Sequence, residues 1–260
     1  MIVTTSVHPS PRARAMAAKL AEELSARLCP RRQWTVRKLL AMSEDGTALV
    51  VTEEEIRYYA GPDAPPLVYH PSMAFVRVKR LRQGERDPLI EWSGCAEGDR
   101  IIDCTAGLAS DSLVFSYAAG PSGSVTALES EPVLYALVRE GLASYESGLP
   151  DVDEALRRIR LRCEDHLTYL SGLPDKSADI VYFDPMFRKP IHESSSIGAI
   201  RTVANRNALR EEAVRQAVRV ARKTVLMKEQ FGSEEFERLG FQELPSKKTT
   251  KIAYGVIRIE

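Results

Sequence analysis

Hydrophobic positions along this chain keep one rhythm up to about residue 60 and another from residue 100 onward. Ile2-Val3-Thr4-Thr5 reads as a short strand. From Arg12 to Leu28 the apolar residues Ala13, Met16, Ala17, Leu20, Ala21, Leu24 and Leu28 follow the 3.6-residue period of a helix, which Pro30 must end. Three β-like runs follow: Trp34 to Met42, Ala48 to Thr52 and Ile56 to Ala60. Asp45-Gly46 is a hairpin turn between the first two. The loop Gly61-Pro62-Asp63-Ala64-Pro65-Pro66 then interrupts the pattern. These elements predict a small N-terminal α+β domain over 1–66 and a bridging segment over 67–99.

From residue 100 strands and helices alternate, as in a doubly wound sheet. Ile101-Ile102-Asp103 is a strand, followed by a small-residue turn and an apolar helix from Leu113 to Ala119. Val125 to Leu128 is the next strand, and Pro132 opens a helix running to about Tyr145. Ile159 to Arg162 alternates, as an edge strand does, whereas Ile180 to Phe183 is a continuous apolar run, as in a buried central strand. An amphipathic helix from Asn207 to Ala221, a strand from Thr224 to Lys228, a short helix from Ser233 to Leu239 and a closing hairpin complete the pattern. The prediction is an α/β fold: a Rossmann-like doubly wound, mostly parallel sheet over 100–260 with an antiparallel C-terminal hairpin.

Composition narrows the class without adding a function. In 260 residues, 44% are hydrophobic and 28% charged, and 36 basic residues balance 36 acidic ones. That describes an ordinary globular protein. A net charge of zero leaves nucleic-acid binding to a local patch. Cys29, Cys95, Cys104 and Cys163 form no CxxC pair, so neither a zinc site nor a disulfide framework is expected. With no long apolar run and no leader-like segment, a cytoplasmic location with no membrane partner and no metal is expected.

The chemistry gathers at two strand ends. The turn Asp103-Cys104-Thr105-Ala106-Gly107-Leu108-Ala109-Ser110-Asp111 joins strand to helix, where ligands of such sheets bind. Glu129, about twenty positions on, suits a ribose diol. The second and third glycines of a dinucleotide fingerprint are missing, and Asp103 and Asp111 would repel a pyrophosphate. A cationic ligand without phosphate, such as S-adenosylmethionine, is favoured. Asp165 either accepts from an adenine amine or caps the helix after it, and the two roles can coexist. The other strand end is Asp184-Pro185-Met186-Phe187, an acceptor followed by an aromatic ring, which suits a planar amine. Arg188 to Asn205 is long for a connection and suits a lid or substrate-binding segment. Arg77, Lys79, Arg80, Arg82 and Arg86 place five cations in ten residues, either a phosphate-facing patch or a solvated surface.

Together these residues resemble class I S-adenosylmethionine-dependent methyltransferases. More closely they resemble the RsmJ-type group, which methylates the guanine N2 amine in small-subunit ribosomal RNA. The turn is similar to that group's D-A-T-A-G-L-G-R-D, and Asp184-Pro185-Met186-Phe187 to its D-P-M-F-P. The resemblance implies an S-adenosylmethionine pocket lined by Asp103, Gly107, Ser110, Asp111, Glu129, Ser130, Asp165, His166 and Asp184. It implies Asp184, Pro185 and Phe187 as catalytic groups, and ribosomal RNA or the small ribosomal subunit as partner. Arg77, Lys79, Arg80, Arg82, Arg188 and Lys189 are the candidate RNA contacts. Ala109-Ser110 replaces Gly-Arg, Arg188 replaces the proline after Phe187, and Asp165-His166 stands where serines are usual. An amine methyltransferase of a protein or small molecule, a nicotinamide-dependent oxidoreductase and a non-catalytic RNA-binding protein are the alternatives.

Overall fold

The computed structural model describes residues 1–186, 203–205, 207–245 and 251–260. In chain order the first elements are β1 (Ile2–Thr5), α1 (Pro11–Glu23), β2 (Arg27–Leu28), α2 (Val36–Ala41), β3 (Ala48–Val51), β4 (Ile56–Tyr59) and β5 (Leu67–Val68). Then come α3 (Ser72–Arg82), α4 (Pro88–Ser93), β6 (Arg100–Asp103), α5 (Ser110–Ala119), β7 (Ser124–Glu129), α6 (Pro132–Ser144), α7 (Pro150–Arg158), β8 (Ile159–Cys163), α8 (His166–Ser171) and β9 (Ala178–Phe183). After it stand α9 (Glu211–Val220), β10 (Ala221–Gln230), α10 (Glu235–Arg238), β11 (Gln242–Glu243) and β12 (Ile252–Arg258).

These elements form two compact units. Met1–His70 and Glu131–Ser144 belong to the first; Pro71–Ser130 and most of the chain after Ser144 belong to the second. The stretch expected to bridge the two is thus divided: Leu67–Val68 pairs with β4 in the first unit, and α3 and α4 pack on α5 in the second.

The first unit is built on a five-stranded sheet of order β2-β1-β3-β4-β5. β1 runs parallel to β2 and β3, while β4 and β5 are antiparallel additions. Ser10 caps α1 by accepting from the Ala13 N–H. That helix stops at Glu23, short of the expected Leu28. Ser25 adopts a φ of 48°, and Arg27–Leu28 becomes a strand beside β1. A second expectation fails at Trp34 to Met42, which contains a helix. Thr35 caps it by accepting from the Lys38 N–H, and Leu39 and Leu40 turn into the core. The hairpin therefore lies between β3 and β4, not at Asp45-Gly46. In α6, a Cβ on Gly141 would lie 2.1 Å from Tyr69 Cγ, so glycine is what lets that ring pack.

The second unit carries a seven-stranded sheet of order β11-β12-β10-β9-β6-β7-β8. β10, β9, β6, β7 and β8 are mutually parallel, and β12 runs antiparallel to both β10 and β11. The chain leaves β6 toward β7 and β8, then returns to the other side of β6 for β9 and β10. The carboxyl ends of β6 and β9 therefore flank the topological switch point, where such sheets bind ligands. The buried run Ile180 to Phe183 forms the centre, and Ile102, Leu128, Val214, Ala217, Val225 and Met227 pack around it. Among the described residues no helix is long and apolar enough to cross a membrane, and no group of side chains could hold a metal ion.

Candidate functional site

The turn after β6 is open on one side and tightly held on the other. Gly107 has a φ of 52°, a left-handed conformation that strains other residues, and a Cβ added there would meet nothing within 4 Å. Its N–H donates to Glu129 Oε2 at 3.2 Å, so the last residue of β7 reaches over the turn. Ala109 is also left-handed, at φ 56°, and precedes the first residue of α5, Ser110. Thr105 Oγ1 accepts from the Asp184 N–H at 2.6 Å and so ties this turn to the end of β9.

Asp103 is 1% exposed and turned into the unit. It accepts from Ser112 Oγ at 2.5 Å and from the Thr105 N–H at 3.1 Å. Burial pushes its carboxyl up to about 7, partly opposed by those two bonds. Asp111 is buried as well. It accepts from Arg77, from Lys228 Nζ at 2.9 Å and from the Tyr182 hydroxyl at 2.7 Å. Burial alone would raise its carboxyl, but the Lys228 and Arg77 cations hold it well below the usual range. Asp111 shares both its cations, Arg77 with Asp87 and Lys228 with Asp184, so two cations face three carboxylates.

Lys228 is the residue the sequence did not single out. β10 pairs with β9 in parallel register, Met227 beside Phe183, which brings Lys228 to Asp184. Its Nζ donates to Asp184 Oδ2 at 2.6 Å as well as to Asp111. Burial lowers the Lys228 ammonium, but the carboxylates of Asp111 and Asp184 reverse this and hold it above its ordinary value. Burial raises the Asp184 carboxyl, Lys228 opposes the rise and Asp111 adds to it; the net direction is upward. The side chain of Asp184 keeps 27% exposure while that of Asp111 keeps 7%, so Asp184 is the member of the pair that a ligand can reach.

Arg77 departs most from expectation. It was expected on a phosphate-facing patch or a solvated surface, yet it points into the unit. Its Nε and Nη2 hold both oxygens of Asp87 at 2.8 and 2.7 Å, and Nη1 donates to Asp111. Asp87 in turn caps α4 through the Leu89 N–H. The rest of the basic run is partly engaged. Arg82 pairs with Asp151 at 2.6 Å, Arg86 pairs with Glu91 at 3.2 Å, and Lys79 lies 4.5 Å from the Phe75 ring centroid. Arg80 is exposed. Phe187, Arg188, Lys189, most of the loop 188–205 and most of the basic connector 247–251 lie outside the described residues.

Ser130 follows β7 and accepts from Asn205 Nδ2 at 3.3 Å. Asp165 caps α8, accepting from the Leu167 and Thr168 N–H groups through Oδ1. His166 meets Phe183 edge-on at 5.8 Å, and burial lowers its imidazole. S-adenosylmethionine fits this set of groups. Glu129 supplies an acidic acceptor at the end of β7, space is open beside Gly107, and Asp165 stands after the next strand. When bound, that cofactor supplies an electrophilic methyl group on a sulfonium.

Comparisons with known proteins agree with this geometry. A family model of SAM-dependent methyltransferases matches residues 32–236. YpiP of Bacillus subtilis, described only as an uncharacterized protein, is 40% identical over 257 residues, 99% of each chain. Ribosomal RNA small subunit methyltransferase J of Hydrogenovibrio crunogenus is 30% identical over 150 residues. That match covers 56% of this chain and 53% of the relative, about half the length of each. A SAM-dependent methyltransferase from Neisseria gonorrhoeae has a similar fold, with a TM-score of 0.64 at 17% identity, covering 99% of this chain and 96% of that one. The open glycine turn, the acidic end of β7 and a family match over most of the length lead to one conclusion: the chain belongs to the S-adenosylmethionine-dependent methyltransferases.

Proposed function

We propose that this methyltransferase acts on the exocyclic N2 amine of a guanine in small-subunit ribosomal RNA. The observation that carries the reading is Asp184. It is a partly exposed carboxylate at the end of the central strand, fixed through its N–H by Thr105 and through Oδ2 by Lys228. The methyltransferase J relative supports the choice of RNA. Asp184 Oδ1 and the Pro185 carbonyl accept the two N–H groups of the amine and aim its lone pair. Lys228 favours the carboxylate form of Asp184, which is the form that accepts. The upward shift of the Asp184 carboxyl then suits it to take the proton that the methylated nitrogen releases. Most of the rate comes from holding the reactants in line, worth up to about 7–11 kcal/mol.

The test is transfer of a labelled methyl group to purified small ribosomal subunits, followed by nuclease digestion and mass spectrometry. The label is expected on guanine N2. Asp184→Ala is expected to lose about 100- to 1,000-fold in kcat while calorimetry still shows cofactor binding. Label appearing only in protein or small molecules would overturn the RNA reading. Wild-type turnover by Asp184→Ala would remove this residue from the reaction.

A further inference from the structure

The first unit holds a cationic surface that the function above does not use. From Leu24 to Ser43 the chain has no Asp or Glu, and it carries Arg27, Arg31, Arg32, Arg37 and Lys38. In a protein of zero formal net charge this is a local concentration of positive potential. Its neighbours do little to cancel it. Arg27 donates to the Met42 carbonyl, which is neutral. Arg37 meets Asp63 at 3.0 Å, but those side chains are 76% and 84% exposed, so water screens the pair. Arg32 and Lys38 each lie 5.0 Å from the centroid of the Trp34 ring. That ring packs in turn on the core of Ile2, Cys29 and Leu39. An anchored ring thus holds two cations at the surface and limits the side-chain entropy they lose when a partner binds.

Arg31 adds an independent observation. Its Nε and Nη1 are shielded from water and have no hydrogen-bond partner among the described residues. Unsatisfied buried donors are costly, and among the described residues no bond holds these two nitrogens where they are. Turned outward, the planar guanidinium offers its donors to a phosphate.

We propose that residues 31–38 form the surface on which the first unit docks the sugar–phosphate backbone of RNA. This rests on RNA being the substrate. The test is binding of the full-length protein to a small-subunit ribosomal RNA transcript across a salt series. Arg32→Gln/Arg37→Gln/Lys38→Gln is compared with wild type and with Lys79→Gln/Arg80→Gln/Arg86→Gln, which loses the same charge. The first triple variant is expected to bind at least about tenfold more weakly, with a log K against log salt slope smaller by about two to three. Its KM for RNA should rise at unchanged kcat, and its melting temperature and calorimetric cofactor binding should stay at wild-type values. The second triple variant should lose clearly less affinity. Equal losses in the two variants, or none in the first, would overturn the docking surface while leaving the RNA reading intact. If the wild-type protein neither binds nor methylates the RNA, the substrate reading falls and the surface falls with it.

Discussion

Two stretches of this protein carry five cations each, 27–38 and 77–86, and they meet opposite fates. In 77–86 three of the five cations meet acids among the described residues. Arg77 is drawn inward by Asp87 and Asp111, while Arg82 meets Asp151 and Arg86 meets Glu91 at the surface. In 27–38 the one ion pair among the described residues is the exposed Arg37–Asp63 contact. A count of cations along the chain ranks the stretches equal. The difference lies in which carboxylates the fold delivers to each: buried Asp87 and Asp111 turn Arg77 into a support for the site, and no buried acid among the described residues pairs with a cation of 27–38.

The largest effect should come from the inward member. Arg77→Met leaves Asp87 and Asp111 without their guanidinium, and both are buried. A loss of about 3–5 kcal/mol is expected in urea unfolding, the cost typical of breaking a buried pair from one side. A shift no larger than that of the 32/37/38 variant would break the comparison.

Asp103 sharpens it by showing what happens to an acid in this region that has no ion pair among the described residues. Its folded carboxyl titrates at about 7, above the unfolded value of 3.8. The stabilising contribution is therefore full below about pH 4 and is lost as pH rises toward 7. Asp103→Asn cannot ionise. Its stability relative to wild type should grow by roughly 2–4 kcal/mol between pH 4 and pH 8. Parallel stability curves for the two proteins would show that Asp103 ionises freely where it lies.

Lys228 tests whether neutralising acids here serves reaction as well as folding. Lys228→Gln keeps a donor near Asp184 and removes the charge. Its kcat should fall about 10- to 100-fold, roughly 1.4–2.7 kcal/mol of barrier, with little change in KM for the cofactor. An unchanged kcat would make Lys228 a structural ion alone. The smallest effect is expected at Arg37→Ala, where the urea midpoint should not move measurably, since exposed pairs contribute little. A clear loss there would mean that the 27–38 stretch is held by its ion pair after all.

Much of the second unit was legible in one dimension. The unbroken apolar run Ile180 to Phe183 can be buried only between neighbours on both sides, and it forms the sheet's centre. The alternating Ile159 to Arg162 became the edge. Gly107 was readable because a left-handed turn admits few other residues. The first unit was less legible. Trp34 to Met42 mixes β-formers with Arg, Lys and Leu, and the Thr35 cap together with burial of Leu39 and Leu40 settled it as a helix. The end of α1 was misplaced because the apolar period runs on past Ser25, where the backbone turns left-handed.

What the sequence determined by itself were properties of neighbours along the chain: strand and helix periods, a glycine turn, and an Asp-Pro step at a strand end. Each follows from local sterics and from which side of an element must leave water. What only the tertiary structure decided were charges meeting across the fold. Asp184 and Lys228 are joined by the register of β9 and β10, and Asp111 and Arg77 by the packing of α3 on α5. Coulomb energy depends on separation in space and on the depth of burial, and neither is written in the spacing of residues along a chain.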